Sequence, residues 1–289
     1  MNIKKYLAYI KIVETGSLTK AAEILNYTQP SISQMISSLE AEYGFPLLVR
    51  HKYGVAPTKH GEQVLKAMQE IQRGYELLNE MVNEINGVET GEVRIGAYSS
   101  IMINLIPEIV GEFKKLYPFI NIHLYEGNAT ELDQWLEEGK IDFGIGTLHN
   151  DKWEFELLFE DQIVVVMNSQ SQLANINRIN LYEIEAEEFI LPYTNSHFEV
   201  HQTFKKEQIQ PKIAYQVKGD ETIISMVRQN LGISLLPELL LRNCPSDIIS
   251  KPLVNEVSRK IGILRRNQKH VQTPSVLKII DFIKRRMNN

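Results

Sequence analysis

The stretch GSLTKAAEILNYTQPSISQMISSLEAEYGFPLLVR, residues 16–50, decides how the N-terminal part of this chain folds. Gly16 stops whatever precedes it, and Ser17 can cap a helix over about Leu18 to Leu25, whose Ala21 and Ala22 let a neighbouring helix come close. Asn26-Tyr27 makes the turn. Thr28 is a natural N-cap for the next helix, and Pro30 falls in its first turn, where a missing backbone N–H costs little. Projected at about 100° per residue, Ile32, Met35, Ile36 and Leu39 form one apolar stripe. Pro30, Gln34 and Ser37 lie opposite, with Ser33 and Gln29 at the flank. This outward face is small, polar and uncharged; it fits a major groove and offers hydroxyls and amides to base edges, Gln to adenine in particular. Taken alone, such a face also suits plain solvent.

The flanking residues shift that balance. Upstream, Ile3, Tyr6, Leu7, Ile10 and Val13 recur at three- and four-residue steps and mark a first amphipathic helix. Downstream, Leu47-Leu48-Val49-Arg50 and Gly54-Val55-Ala56-Pro57 are strand-like runs around His51-Lys52-Tyr53, a hairpin whose cationic tip can track a phosphate or a minor groove. Helix, turn, helix and basic hairpin make a winged helix-turn-helix. Its DNA-facing candidates are Gln29, Pro30, Ser31, Ser33, Gln34 and Ser37 on the helix and Arg50 and Lys52 on the wing.

Residues 16–50, with Pro57-Thr58 and Gly61 behind them, resemble the N-terminal signature of LysR-type transcriptional regulators, and the rest of the chain keeps that family's order and length. The resemblance implies that Gln29, Pro30, Ser33, Gln34 and Arg50 approach double-stranded promoter DNA. Gln34 stands where relatives often carry a basic residue, and Leu48 and Tyr53 where they often carry Phe and Arg.

Charge is distributed unevenly. The net charge is −5, but residues 1–66 carry eight Lys/Arg against five Glu, so a mildly basic head precedes an acidic body. At 289 residues the chain fits two domains, or a small one and a larger bilobed one. No run approaches the roughly 18 apolar residues of a membrane helix, and the first residues break their apolar positions with charges, so the expectation is a cytoplasmic protein with no membrane partner. The single cysteine, Cys244, reads as a buried bystander thiol; no Cys/His cluster has metal-ligand spacing, and no cofactor is expected.

Val64, Met68, Ile71, Tyr75, Leu78, Val82 and Ile85 step by alternating fours and threes, a heptad seam on a helix from about Lys59 to Asn86, roughly 42 Å long. The strict seam reads as packing against a partner chain, the rival being a helix that lies on its own domain. Gly74 inside it should cost about 1 kcal/mol relative to Ala. The resemblance implies antiparallel pairing of such helices in a homodimer, or a homotetramer built from it, with RNA polymerase as a further candidate partner.

From Gly91 the pattern becomes alternating strands and helices: strand Val93 to Ala97, helix Ile103 to Leu116, strand Ile120 to Tyr125, helix Thr130 to Glu138 and strand Asp142 to Gly146. This βαβαβ order favours a parallel sheet covered by helices. A second unit follows, with strand Ile163 to Met167, strand-like Phe189 to Leu191, a helix around Glu199 to Glu207, strand Ile213 to Val217 and helix Thr222 to Asn230. Strand Lys260 to Arg265 and a last helix, Ser275 to Arg286, close the chain. The expected domains are a winged helix-turn-helix over 1–58, a dimerising linker over 59–88 and an α/β two-lobed body over 89–289. Lobe I takes about 89–161 and 266–289 and lobe II 162–265, with hinges near Asp161-Gln162 and Leu264-Arg265.

In open α/β sheets ligands gather at the carboxyl ends of strands. Tyr98, Ser99 and Ser100, Gly127, Asn128 and Thr130, Gly146 and Thr147, and Tyr193, Thr194 and Asn195 fall at such ends. Ser99, Ser100, Ile101, Asn128, Thr130, Thr147, Thr194 and Asn195 are therefore the effector-binding candidates, against the bland alternative of ordinary turn chemistry. The resemblance implies a body similar to periplasmic binding proteins, with Ser99, Ser100, Thr147 and Thr194 contacting a small-molecule effector; Gln229 through Pro237 also fits the family pattern of the second lobe. Hydroxyls beside a helix N-terminus point to a carboxylate on that effector. Two rivals stand beside this reading. One is an enzyme, for which Ser99, His123 and Asp142 would be the imaginable triad without a nucleophile elbow, and Gly144-Ile145-Gly146 a dinucleotide motif lacking its third glycine. The other is a bilobed solute-binding sensor that acts through protein contacts without DNA.

Overall fold

The computed structural model describes residues 3–52, 54–148, 150–193, 198–267 and 272–287. The chain splits into two compact units, Met1–Gly91 and Glu92–Asn289.

In the first unit α1 (Ile3–Thr15), α2 (Leu18–Ile24) and α3 (Gln29–Tyr43) precede a hairpin of β1 (Leu48–His51) and β2 (Gly54–Pro57) and the long α4 (Lys59–Ile85). The caps are those the residue types favour. The Ser17 hydroxyl accepts the backbone N–H of Lys20, that of Thr28 accepts Ser31 N–H, and that of Thr58 accepts Gly61 N–H. Asn26 turns the chain between α2 and α3 at φ +57. Tyr6 and Ile10 of the expected α1 stripe are buried, and so are Ala8, Tyr9 and Ile12, because α1 packs against α2, α3 and α4 and is covered over a wide arc. The wing pairs antiparallel from Leu48 opposite Pro57 to His51 opposite Gly54. Gly54, at φ +145, lies so close to Gly16 that a methyl there would stand 2.5 Å from the Gly16 carbonyl oxygen, and Val55 N–H donates to that oxygen at 3.0 Å.

The heptad seam divides. Met68 is 2% exposed, and Val64 and Ile71 pack beside it on the core of α1 to α3, whereas Leu78 and Ile85 are 57% and 83% exposed. Val64, Met68 and Ile71 thus serve their own head, correcting the reading of the whole seam as a surface for a partner chain. Periodicity alone does not separate these duties, since both want an apolar residue every third or fourth position.

The second unit holds a six-stranded sheet in the order β4-β3-β5-β10-β6-β9: β3 (Gly91–Ala97, beginning at the unit boundary), β4 (Ile120–Glu126), β5 (Phe143–Gly146), β6 (Glu154–Asn168), β9 (Ser234–Pro237) and β10 (Ile248–Arg265). A separate pair, β7 (Glu188–Pro192) and β8 (Lys212–Val217), runs parallel. Helices α5 (Ser99–Asn104), α6 (Ile106–Leu116), α7 (Ala129–Glu138), α8 (Leu181–Ile184), α9 (Phe198–Glu207), α10 (Asp220–Arg228) and α11 (Pro274–Met287) complete the unit. Strands β3 and β5 pair in parallel as expected. The helix expected from Ile103 is instead two, α5 and α6, meeting at Leu105 two residues before Pro107.

The larger departure lies in β6 and β10. Both are far longer than expected and pair antiparallel from Glu154 opposite Arg265 to Asn168 opposite Ile248, so one ribbon runs through both lobes. On one side of Asp161 the ribbon feeds the lobe I core of Phe113, Phe143, Ile261 and Ile263; on the other it feeds the lobe II core of Ile163, Val165, Phe189 and Leu253. One crossing is thus at Asp161 and the other at its cross-strand partner Arg259. Leu264-Arg265 pairs with Phe155 and Glu154 inside lobe I, so the expected second hinge and the lobe II limit at 265 are both corrected.

Candidate functional site

Helix α3 buries Ile32, Ile36 and Leu39 and turns Gln29, Pro30, Gln34 and Ser37 to the exposed side, with Ser31 and Ser33 half-buried. Ser31 also holds the Thr28 hydroxyl at 2.8 Å, so it serves the cap. Arg50 and Lys52 are exposed on the wing; Tyr53 lies outside the described residues. A residue absent from the expected set ties the wing to this helix. Glu40 of α3 accepts the backbone N–H groups of Leu47 at 2.7 Å and Leu48 at 3.2 Å, where β1 begins. Nothing in its sequence neighbourhood, Leu39-Glu40-Ala41-Glu42, sets it apart from an ordinary surface glutamate.

In the second unit the expected residues separate into three groups. Ser100 and Thr147 come to the lobe crossing together with Tyr98 from the same strand end, with Asp161, expected there only as a hinge, and with Arg259, which no motif had marked. Arg259 and Asp161 are 4% and 5% exposed; the Arg259 Nη2 donates to Asp161 Oδ2 and to Ser100 Oγ, both at 2.7 Å, and its Nε to Asp161 Oδ2 at 3.0 Å. The other Asp161 oxygen accepts Leu239 N–H at 3.0 Å. The pair thus places one buried cation against one buried anion, with hydrogen bonds to both, which a charge removed from water requires. The Tyr98 hydroxyl lies 3.0 Å from that of Thr147. Burial above all pushes the Tyr98 phenol up to about 12; Glu199 of α9 pushes the same way, while the Thr147 hydrogen bond and Arg259 pull it down.

A second group sits at the edge of this cluster. Ser99 donates its hydroxyl to Glu126 Oε1 at 2.6 Å. Asn128 caps α7 in a reciprocal box, accepting Glu131 N–H while Glu131 accepts its own, and Thr130 is exposed in the first turn. These placements give Asn128 the structural duty that turn chemistry predicts. The third group leaves the site. Ile101 is fully buried in the lobe I core, so its side chain is corrected from effector contact to packing; Thr194 and Asn195 lie outside the described residues. Charges set into apolar strands, Asp161 before Ile163 to Met167 and Arg259 before Ile261 to Leu264, were the available signal for the buried pair.

The imagined triad is not assembled. Ser99 faces Glu126, His123 faces Glu92 at 2.5 Å, and Asp142 accepts the backbone N–H of Arg94 at 2.7 Å. Among the described residues no helix is long and apolar enough to cross a membrane.

Comparison with known proteins accounts for both units. Residues 3–62 match the bacterial regulatory helix-turn-helix protein family of lysR type, and residues 86–288 match the LysR substrate binding domain. An HTH-type transcriptional regulator of Bacillus subtilis (strain 168), YvbU, whose own role is uncharacterized, is 31% identical over 266 residues, 91% of each chain. The fold is shared with full-length OxyR of Pseudomonas aeruginosa, at TM-score 0.77 and 20% identity over 100% of this chain and 95% of that one. It is also shared with full-length CbnR, solved in complex with its target DNA, at TM-score 0.68 and 20% identity over 99% and 100%. The chain belongs to the LysR family of DNA-binding transcriptional regulators, with a helix-turn-helix head and an effector-binding body.

Proposed function

We propose that this regulator reads promoter DNA with Gln29, Pro30, Ser33, Gln34 and Ser37 of α3, grips the adjoining backbone with Arg50 and Lys52, and responds to a small molecule at the lobe crossing. The observation that carries the reading is the split of α3 into a buried stripe of Ile32, Ile36 and Leu39 and an exposed, uncharged polar face beside a basic hairpin. Exposed amides and hydroxyls suit base edges, and the two wing cations supply the salt-dependent contact with phosphate. The exposed end of the α4 seam, from Tyr75 to Ile85, supports assembly into a dimer, which would present two such heads to an interrupted repeat. Effector affinity that differs between two lobe arrangements then couples sensing to transcription, through the DNA or through RNA polymerase, in the cytoplasm.

The test is binding of the full-length protein to a duplex selected by it from a random library, measured by anisotropy over a series of salt concentrations. Gln29→Ala with Arg50→Ala should weaken binding by at least tenfold and flatten the salt slope by about 1. Unchanged affinity and slope would leave a solute sensor acting through protein contacts.

For the effector, the expected carboxylate becomes a competition, because the Ser99 hydroxyl is already given to Glu126. A carboxylate must displace Glu126, so Glu126→Gln should tighten carboxylates in calorimetric titrations of the same panel of acids, amides and amines. If amides or amines bind better than the acids, Glu126 is itself the recognising group and the carboxylate reading falls.

A further inference from the structure

The backbone of Leu47 is where α1, α3, α4 and the wing meet. Its carbonyl oxygen accepts the Tyr9 hydroxyl of α1 at 3.3 Å and the Thr58 N–H, at the N-cap of α4, at 2.9 Å. Its N–H goes to Glu40 of α3, the Leu47 side chain is fully buried, and the preceding Pro46 carbonyl accepts the Thr58 hydroxyl at 2.8 Å. Gly61, in the first turn of α4, lies so close that a methyl on it would overlap both the Leu47 carbonyl oxygen and the Tyr9 hydroxyl. The backbone of one residue is thus held by α3, the proposed reading helix, by α1 that buttresses it and by α4. The wing strand β1 starts at the next residue.

Glu40 has a particular place in this joint. Of the two N–H groups it accepts, that of Leu47 stands just before β1 and that of Leu48 belongs to the strand's first residue, so its carboxylate fixes the backbone where the wing begins. A charged acceptor with two donors holds more firmly than a neutral one. We infer that Glu40 is a positioning residue for DNA binding: it touches no base or phosphate, yet sets the distance between the α3 reading face and Arg50, while Gly61 sets the angle at which α4 passes the same residue, Leu47. This rests on the proposal that the wing grips DNA, so the test must separate the two.

The experiment is a double-mutant cycle with full-length protein on the selected duplex, read by anisotropy and by hydroxyl-radical footprint. Arg50→Ala alone should lower affinity about tenfold and erase protection at the wing's backbone positions. Glu40→Leu should erase that same protection and cost about as much, while protection under α3 persists. Adding Arg50→Ala to it should then cost less than about threefold, because a wing already out of place has little left to lose. Glu40→Gln, which keeps an oxygen acceptor, should retain most of the wing protection and serves alone if Glu40→Leu does not fold; its cost should also shrink on adding Arg50→Ala. Wild-type wing protection in Glu40→Leu, or Glu40 effects that simply multiply with those of Arg50→Ala, would overturn the positioning role. Arg50→Ala without effect would overturn the wing reading instead. Amide exchange of the Leu47-Leu48 segment should accelerate in both Glu40 variants; unchanged exchange would also count against the role.

Discussion

On α3 the polar side chains are turned outward, whereas at the lobe crossing they are engaged with one another. Gln29, Gln34 and Ser37 are exposed, while Ser100 holds Arg259, Thr147 holds Tyr98 and Ser99 holds Glu126. The difference suits the two partners proposed for these sites. A duplex supplies rigid donors and acceptors, so a face with open groups on a well-packed helix is ready to meet it. In the proposed mechanism a small effector biases two arrangements of one body, and groups committed to internal partners in one arrangement would give the two different energies.

The sharpest way to break this contrast is to remove one member of the buried pair. Asp161→Ala strands the Arg259 guanidinium away from water and should destabilise the second unit by about 3–5 kcal/mol, read by chemical denaturation, with the head still binding DNA. A loss below about 1 kcal/mol would mean that water reaches the crossing and that the pair is no joint. Met68→Ala should come next, costing about 2–4 kcal/mol in the head by leaving a cavity in the core that Met68 shares with Tyr9 and Leu39, without changing the assembly state seen by sedimentation. Ile85→Glu should do the reverse, leaving the head's melting unchanged and lowering the assembly state. If both variants altered assembly, the division of the seam would fail.

Gln34→Ala tests the open side of the comparison. It should leave stability within about 0.5 kcal/mol while changing which base is preferred at one position of the selected duplex, a discrimination of about 1–3 kcal/mol for a paired amide. A stability loss without a change of preference would make Gln34 a structural residue.

The smallest effect is expected where an ion pair is exposed. Arg228 and Asp247 meet at 2.8 Å with side chains 51% and 41% exposed, and the hydrogen bond from Arg228 holds the Asp247 carboxyl below the usual carboxylate range. A depressed carboxylate adds stability above its ordinary range and loses it as the pH falls through the depressed value. Solvent screens this pair, so Asp247→Asn should leave neutral-pH stability unchanged and only flatten the acid limb of the stability curve. A large loss at neutral pH would place Asp247 among the engaged groups.

Much of this molecule is legible in one dimension. The caps at Ser17, Thr28 and Thr58, the apolar stripe of α3, the reach of α4 and the parallel order of the first lobe all depend on neighbours within a few residues, where residue type and period determine the outcome. The wing and the exposed polar face follow from the same local rules, which is why the residues of α3's outward face and of the hairpin were nameable one by one. The tertiary structure alone decided that Met68 serves its own core and Ile85 does not, and that the second crossing falls at Arg259. It also decided that Glu40 clamps the wing and that Ser99 and Ser100 are taken by Glu126 and Arg259. Each of these depends on which distant segment lies opposite, Ser100 and Arg259 being 159 positions apart. A period records only that a face is buried or a group polar; the group that meets it is chosen by how the elements pack.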